Sequence, residues 1–401
     1  MKSMHKNQKS HIADICFVSS ISYTIYVFYG SLLKQLKNRG VEFGVAATSS
    51  PNLCDLRDKY KCNIFPIHIA RRIALLKDIA AIFRLTCYFR NQRYRIVHAH
   101  TPKGGLVGMM ASFFARVPVR VYTIHGLPLE TATGLKRRLL WLAEAVSCRF
   151  ANQILAVSLS LRELVVKERL CSPEKIKVLG DGTACGLDTE KFVLNETNVA
   201  SGKEIRKELR VSEDEIVVGF VGRLVPDKGI KTLVESFVCL QDQLHDIHLL
   251  LVGPVDESRE TFDRGLTDTI ETNKNIHCVG FKDDTVPYYA AMDIFAMPSR
   301  REGFGMTLIE ASAMKLPVIG SRIVGCVDAV DDGLTGILVE VDNKDQLVMA
   351  MKQMIKSPEL RRKFGCQGDK RTNELFNTHR LVKEHLELYD FLRKDIGHNK
   401  L

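Results

Sequence analysis

No apolar run in the chain approaches the roughly 18 residues needed to cross a bilayer, so any membrane contact is expected to be peripheral. No Cys-x-x-Cys pair occurs among the eleven scattered cysteines. Their odd number and irregular spacing exclude a disulfide framework and a zinc ribbon, and fit a reducing compartment. A secretory leader is not expected either. Lys2, Lys6 and Lys9 precede an apolar run over 12–18, but Asp14 interrupts it and no long hydrophobic region follows, so it reads as a buried strand. Acidic residues are nearly absent between Lys61 and Arg95, where Asp78 alone faces eight cations. Ile73, Leu75, Leu76, Ile79, Ile82, Phe83 and Leu85 run between those cations. The segment is either a basic amphipathic helix resting on anionic headgroups or a core helix with a solvated basic face.

What is present is a globular composition, 45% hydrophobic and 26% charged, in 401 residues with a net charge of +10. That length exceeds what one core usually organises, so two domains are expected. The charge suits phosphorylated small molecules, anionic lipid or nucleic acid, yet no motif that reads a groove or a single strand accompanies it, and no nucleic-acid partner is expected.

Short β-rich runs alternate with helical segments throughout, the α/β pattern of parallel sheets covered on both faces. Strands are predicted over 12–19, 41–48, 64–69, 96–100, 120–125 and 153–157, then over 216–221, 247–252, 276–279, 294–297, 317–320 and 336–339. Segments 180–188 and 195–202, rich in Gly, Thr, Asn and Ser, read as the interdomain linker. The expected division is 1–190, 191–375, and a terminal helical segment 376–401 that packs on the second lobe or crosses back to the first. In such folds ligands bind beyond the carboxyl ends of the strands.

Two strand ends stand out. After 216–221 comes Gly222-Arg223-Leu224-Val225-Pro226-Asp227-Lys228-Gly229. Its glycines, two cations and following helix N-terminus make either a pyrophosphate cradle or an ordinary strand-to-helix turn. The second, Pro298-Ser299-Arg300-Arg301-Glu302-Gly303-Phe304-Gly305-Met306-Thr307-Leu308-Ile309-Glu310, places two carboxylates eight positions apart. With a helix starting near Phe304, Glu302 lies in the loop and Glu310 about two turns inside, where the pair can grip two hydroxyl-bearing parts of one extended ligand. The N–H groups of 303–306 favour phosphate. His98 and His100 flank Ala99 without nearby carboxylates, so a structural or acceptor-side role is favoured over a metal pair. Asp283-Asp284 and Asp331-Asp332 read as loop-opening acids and helix caps. No metal or cofactor is required. Lys103, Gly104 and Gly105, opening a helix after a strand, are candidates for an acceptor phosphate.

Together the Glu302–Glu310 arrangement and Gly222-Arg223-x4-Lys228-Gly229 resemble the retaining GT-B glycosyltransferases of family 4, whose two Rossmann-like lobes face each other across a cleft. The resemblance extends through 288–293, 298–299 and 325–336. Segments 100–105, 123–128 and 180–188 are similar to the branch that builds lipid-linked glycans in bacteria, including the transferase adding N-acetylgalactosamine to undecaprenyl-diphosphate-bacillosamine. It implies donor-diphosphate contacts from Arg223 and Lys228 beside Gly222, and transferred-sugar contacts from Glu302 and the backbone of Gly303, Phe304, Gly305 and Met306. It further implies ribose contacts from Glu310, His125 beside the reacting phosphate, and the nucleobase near Val279, Gly280 and Phe281. The implied donor is a nucleoside-diphosphate sugar, an N-acetylhexosamine on UDP, with other UDP- or GDP-sugars open, and the implied acceptor a polyprenyl-diphosphate-linked saccharide. The expected absence of a leader and the basic first lobe together point to the inner face of the cytoplasmic membrane. Ser19-Ser20-Ile21-Ser22-Tyr23 departs from the family's glycine-rich first loop. A nucleotide-sugar epimerase on the same fold and a non-catalytic nucleotide-sugar-binding protein are the alternatives.

Overall fold

The computed structural model describes residues 14–70, 74–255 and 264–398. Lys2, Lys6, Lys9, Ile12, Arg71, Arg72 and Ile73 of the segments discussed above lie outside the described residues. By packing, the chain divides into two compact units: Met1–Ala156, Val165–Leu179 and Val382–Leu401 form the first, and Val157–Leu164 with Gly180–Leu381 the second.

The first unit is built on seven parallel strands, β1 (Ile15–Ser19), β2 (Phe43–Ala47), β3 (Asn63–Pro66), β4 (Ile96–His100), β5 (Val119–Ile124), β6 (Gln153–Ala156) and β7 (Ile176–Lys177), in the order β3-β2-β1-β4-β5-β6-β7. The central strands are buried along their whole length, as parallel strands sandwiched between helices must be. Sequence reasoning misses β7, a two-residue strand too short for a period to register. Helices Leu75–Gln92, Pro102–Phe114 and Gly134–Phe150 lie side by side on one face. The middle helix approaches the sheet on glycines. A Cβ on Gly105 would meet the Tyr122 ring at 2.3 Å, and one on Gly108 the Ala99 Cβ at 3.0 Å.

The second unit repeats the plan with six parallel strands: β8 (Ile216–Val221), β9 (Ile247–Val252), β10 (Ile276–Cys278), β11 (Ile294–Met297), β12 (Val318–Ser321) and β13 (Gly336–Val339), ordered β10-β9-β8-β11-β12-β13. Two expectations need correction. Residues 195–202, read as linker from their Gly, Thr, Asn and Ser content, begin the helix Glu196–Glu208: Asn195 caps it by accepting the Asn198 N–H at 2.9 Å. Its Gly202 is a packing residue, since a Cβ there would lie 2.6 Å from the Ala290 backbone. The helix expected from Phe304 begins at Met306, after Gly305 at φ +78°, so Glu310 sits little more than one turn inside.

The chain ends in helices Lys344–Lys356, Pro358–Leu375 and Thr378–His398. Thr378 donates its hydroxyl to the Cys185 carbonyl at 2.7 Å in the second unit. From Val382 onward the helix groups with the first unit, where Tyr389 bonds His98 at 2.6 Å and Arg393 pairs with Asp14 at 3.7 Å.

Candidate functional site

In the second unit the carboxyl ends of β8 and β9 press together on glycines. Gly222 has φ +153° and Gly253 φ +144°, and a Cβ on Gly253 would lie 1.9 Å from the Gly222 carbonyl oxygen. Arg223 follows, exposed. A 3-10 turn, Pro226–Lys228, then leads through Gly229 into the helix Ile230–Gln241. Gly229 is irreplaceable on two counts: φ is +70°, and a Cβ would strike the Pro298 carbonyl oxygen at 1.9 Å.

That approach brings the turn against the loop after β11. Lys228 Nζ donates to Glu302 Oε1 at 2.5 Å, both side chains mostly enclosed. Beside it Arg301 pairs with Asp227 at 3.1 Å, and the Arg300 N–H donates to the Asp227 carbonyl at 2.9 Å. Two parallel ion pairs and a backbone bond thus fix the cationic turn to the carboxylate loop. Neither Asp227 nor Arg301 is singled out by sequence reasoning; alternating charges in two loops signal pairing only once the loops are known to touch.

The loop itself is held from behind. Ser158 donates to the Gly303 carbonyl at 2.8 Å, and Gly325, at φ +82°, packs so closely that a Cβ would lie 2.6 Å from the Gly303 carbonyl carbon. Phe304 is buried edge-on against Phe376, with ring centroids 5.1 Å apart. Met306 opens the helix that carries Glu310. The Glu310 carboxylate accepts from the Tyr289 hydroxyl at 2.7 Å. Burial raises its pKa, against the Tyr289 bond and the Lys191 charge, which lower it. Tyr289 is therefore the partner that an enclosed acid requires. Phe281 is exposed beyond β10, next to Gly280, whose carbonyl accepts the Gly253 N–H at 2.9 Å.

Asp284 and Asp332 act as loop residues: Asp284 accepts the Val286 N–H at 3.4 Å and Asp332 the Leu338 N–H at 2.9 Å.

In the first unit, His125 follows β5 and His100 ends β4. Their rings meet at His125 Nε2 and His100 Nδ1, 3.4 Å apart. Burial lowers the His125 pKa to about 4, and pushes His98 and His100 well below the usual value, helped by neighbouring histidines. All three are neutral near pH 7. His98 bonds Tyr389 and Thr123, each at 2.6 Å. Lys103, just past the end of β4, forms an enclosed ion pair with Asp78. Gly104 is a packing glycine whose Cβ would meet the Ser19 and Ser20 backbone at 3.0 Å, and Gly105 abuts Tyr122. Among the described residues no group of three or more His, Cys, Asp or Glu side chains could hold a metal ion.

The family model for group 1 glycosyl transferases matches residues 201–371, and that for the glycosyl transferase 4-like domain matches 26–182. The capsular polysaccharide biosynthesis glycosyltransferase CapM of Staphylococcus aureus is 30% identical over 98% of this chain and 100% of its own. The chain belongs to the family 4 glycosyltransferases. A second relative of this glycosyltransferase is the N,N'-diacetylbacillosaminyl-diphospho-undecaprenol alpha-1,3-N-acetylgalactosaminyltransferase of Campylobacter jejuni, 25% identical over 95% of this chain and 100% of that one. The solved structure of HepE from Anabaena in complex with UDP and glucose shares the fold, with a TM-score of 0.79 and 19% identity, covering 95% of this chain and all of its own. Two parallel Rossmann-like sheets of the GT-B class are thus the architecture of this transferase.

Proposed function

We propose that this glycosyltransferase moves an N-acetylhexosamine from a UDP-sugar to a polyprenyl-diphosphate-linked saccharide, with retention of anomeric configuration, in the assembly of a surface or protein-linked glycan. The observation that carries the reading is the Lys228–Glu302 pair beside the glycine-rich entry to helix Met306–Ala313. A cation, free N–H groups and a hydroxyl-accepting carboxylate stand together where a diphosphate joined to a sugar would need them. Glu310, a little over one turn inside, serves the ribose; Gly222 and Arg223 complete the diphosphate contacts, and Phe281 lies beside the base.

The acceptor oxygen forms its bond to the anomeric carbon on the face from which the diphosphate departs. The breaking C–O bond leaves its electron pair on a phosphate oxygen, which takes the acceptor's proton. Lys228, Arg223 and the helix N-terminus stabilise that growing charge, a preorganised effect typically worth about 3–4 kcal/mol per donor. His125 donates a hydrogen bond to the reacting region of the donor. Lys103, held by Asp78, and Gly104 with Gly105 shape the acceptor side.

Two helices support peripheral binding to an anionic membrane, for which the reading takes the cytoplasmic face. Leu75, Leu76, Ile79 and Phe83 are exposed near Lys77 and Arg84. Leu135, Leu139 and Leu142 are exposed near Lys136 and Arg138. Apart from Leu142, at mid-helix, these side chains lie in the N-terminal halves of helices that follow parallel strands, toward the carboxyl edge of the first sheet that His125 also occupies. No helix of the described residues is long and apolar enough to cross a membrane.

The test is release of the nucleoside diphosphate from a panel of UDP- and GDP-sugars, with and without polyprenyl-diphosphate-linked saccharide, and NMR of the product's anomeric proton. Release that needs the acceptor and gives the donor's anomeric configuration supports the reading. Donor isomerisation without acceptor replaces it with the epimerase.

A further inference from the structure

Below His125 the first unit buries a ladder of rings that the proposed chemistry does not use. His100 is fully buried; its ring stacks on Phe17 with centroids 6.0 Å apart, lies 4.4 Å from Tyr29 and 4.1 Å from His98. Its Nδ1 faces His125 Nε2 at 3.4 Å, whereas among the described residues its Nε2 is buried with no hydrogen-bond partner. His98 cannot supply one, because both of its nitrogens are engaged, by Tyr389 and by Thr123.

A neutral imidazole carries its proton on one nitrogen only. With the proton on Nε2, His100 would bury an N–H that has no acceptor, a rarer and costlier arrangement than a buried lone pair without a donor. With the proton on Nδ1, the N–H points at His125 and the unpartnered atom is a bare lone pair. His125 Nε2 must then be the acceptor, which leaves the His125 proton on Nδ1. We propose that His100 is a positioning residue that fixes His125 in the Nδ1–H tautomer, so that His125 meets the donor as a neutral hydrogen-bond donor rather than as a base. This deepens, and rests on, the reading of His125 as a residue that touches the donor. Burial of both rings keeps them neutral near pH 7, the condition under which tautomer choice matters. A neutral imidazole can polarise an oxygen that is gaining charge without first surrendering a proton.

The experiment is a long-range proton–nitrogen correlation spectrum of the full chain labelled with 15N-histidine, His125 being assigned by the signals missing from His125→Gln. The expected result is a protonated Nδ1 and a bare Nε2 on His125. A protonated Nε2 overturns the proposal outright, and this reading needs no variant of His100. In His100→Phe, which keeps a ring but removes the donor, the His125 signals should shift toward the Nε2–H form. kcat should fall at least tenfold while KM for the donor stays within about twofold. His100→Asn, which keeps an N–H close to the Nδ1 position, should restore both the tautomer and most of the activity; a variant that restores activity with the opposite tautomer overturns the assignment. Full activity in His125→Ala would remove the donor-contact reading and leave the wild-type tautomer to be judged by its own spectrum.

Discussion

The two units repeat one architecture but furnish their strand ends in opposite ways. At the carboxyl edge of the second sheet the groups are charged and cross-linked, Lys228 with Glu302 and Arg301 with Asp227. At the carboxyl edge of the first, beside the Lys103–Asp78 pair, the groups on and beyond β4 and β5 are neutral imidazoles packed among Phe17, Tyr29 and Tyr389. The contrast teaches how one fold divides labour. On the proposed reading, the groups that meet the diphosphate are tied into ion pairs, whereas those that orient a hydrogen bond are held neutral by burial. Breaking the first arrangement should therefore show most in turnover, whereas the stability that the second confers should show in its response to acid.

The largest expected effect is on the charged side. On the proposed reading, in which Lys228 is one preorganised donor to the leaving diphosphate, Lys228→Ala should lower turnover by about 10²–10³-fold. The pair it breaks keeps partial contact with solvent, at 22% and 13% exposure, so the loss in stability should be near 1 kcal/mol. Steady-state kinetics and a thermal melt of the same preparation check this. Equal collapse of activity and melting temperature would show that the pair is a structural strut instead.

The next effect belongs to the neutral side. His125 is held to a pKa of about 4 when folded, against 6.5 when free. A group whose folded pKa is lowered binds more protons unfolded than folded between those values, so stability falls as pH drops from about 6.5 toward 4. His125 alone should cost the first unit about 2 kcal/mol between pH 7 and pH 5, with His98 and His100 acting in the same direction. Glu144 works the opposite way. Burial raises its carboxyl to about 7, the Tyr122 bond partly offsetting this, so its contribution falls as pH rises from about 4.5 to 7. Trp141, the only tryptophan, lies in the first unit and reports it selectively. Its fluorescence should change at a higher pH on acidification than a probe of the second unit, such as hydrogen exchange in β8 and β9. Coincident transitions would contradict the contrast.

Much of this is legible in the sequence, for physical reasons. Buried parallel strands are dense apolar runs, so all but β7 stand out, and Gly229, Gly305 and Gly325 mark places where the chain must turn or approach other backbone closely. The Glu302–Glu310 spacing is readable because both residues belong to one local element. What is not legible depends on contacts distant in sequence. Asp227–Arg301, Tyr289–Glu310, Lys103–Asp78 and His100–His125 each join residues 21 to 74 positions apart, and no local period encodes such a meeting. The helix at 196–208 is hidden for another reason: the residues that cap and pack it are those that elsewhere make loops.

A smaller effect tests whether enclosure, rather than charge, decides the behaviour of Glu310. Tyr289→Phe removes the hydroxyl that donates to it at 2.7 Å and leaves an enclosed acid short of a partner. The variant should lose about 1–2 kcal/mol of stability. Because the lost bond lowers the Glu310 pKa and burial raises it, the carboxyl should titrate higher in the variant. A raised folded pKa lets stability fall as pH rises, so the deficit should grow from acid toward neutral pH. A deficit independent of pH would assign Tyr289 to packing alone.

The smallest effect concerns surface alone. Replacing Leu76, Ile79 and Leu139 with serine removes exposed apolar side chains of the first unit without touching its core, so stability should change by no more than about 0.5 kcal/mol per site. Binding to vesicles containing anionic lipid should weaken about tenfold, since each side chain loses its transfer from water into the interfacial region. Met349→Ser supplies the matched control in the second unit, where an equally exposed apolar residue lies far from any such helix pair in sequence. Sedimentation with vesicles at low and at high salt separates the two contributions. Salt should weaken binding of the parent through Lys77, Arg84, Lys136 and Arg138, and the serine variant should retain only that salt-sensitive part. Equal binding by the parent, the triple variant and Met349→Ser would remove the first unit's helices from the membrane surface.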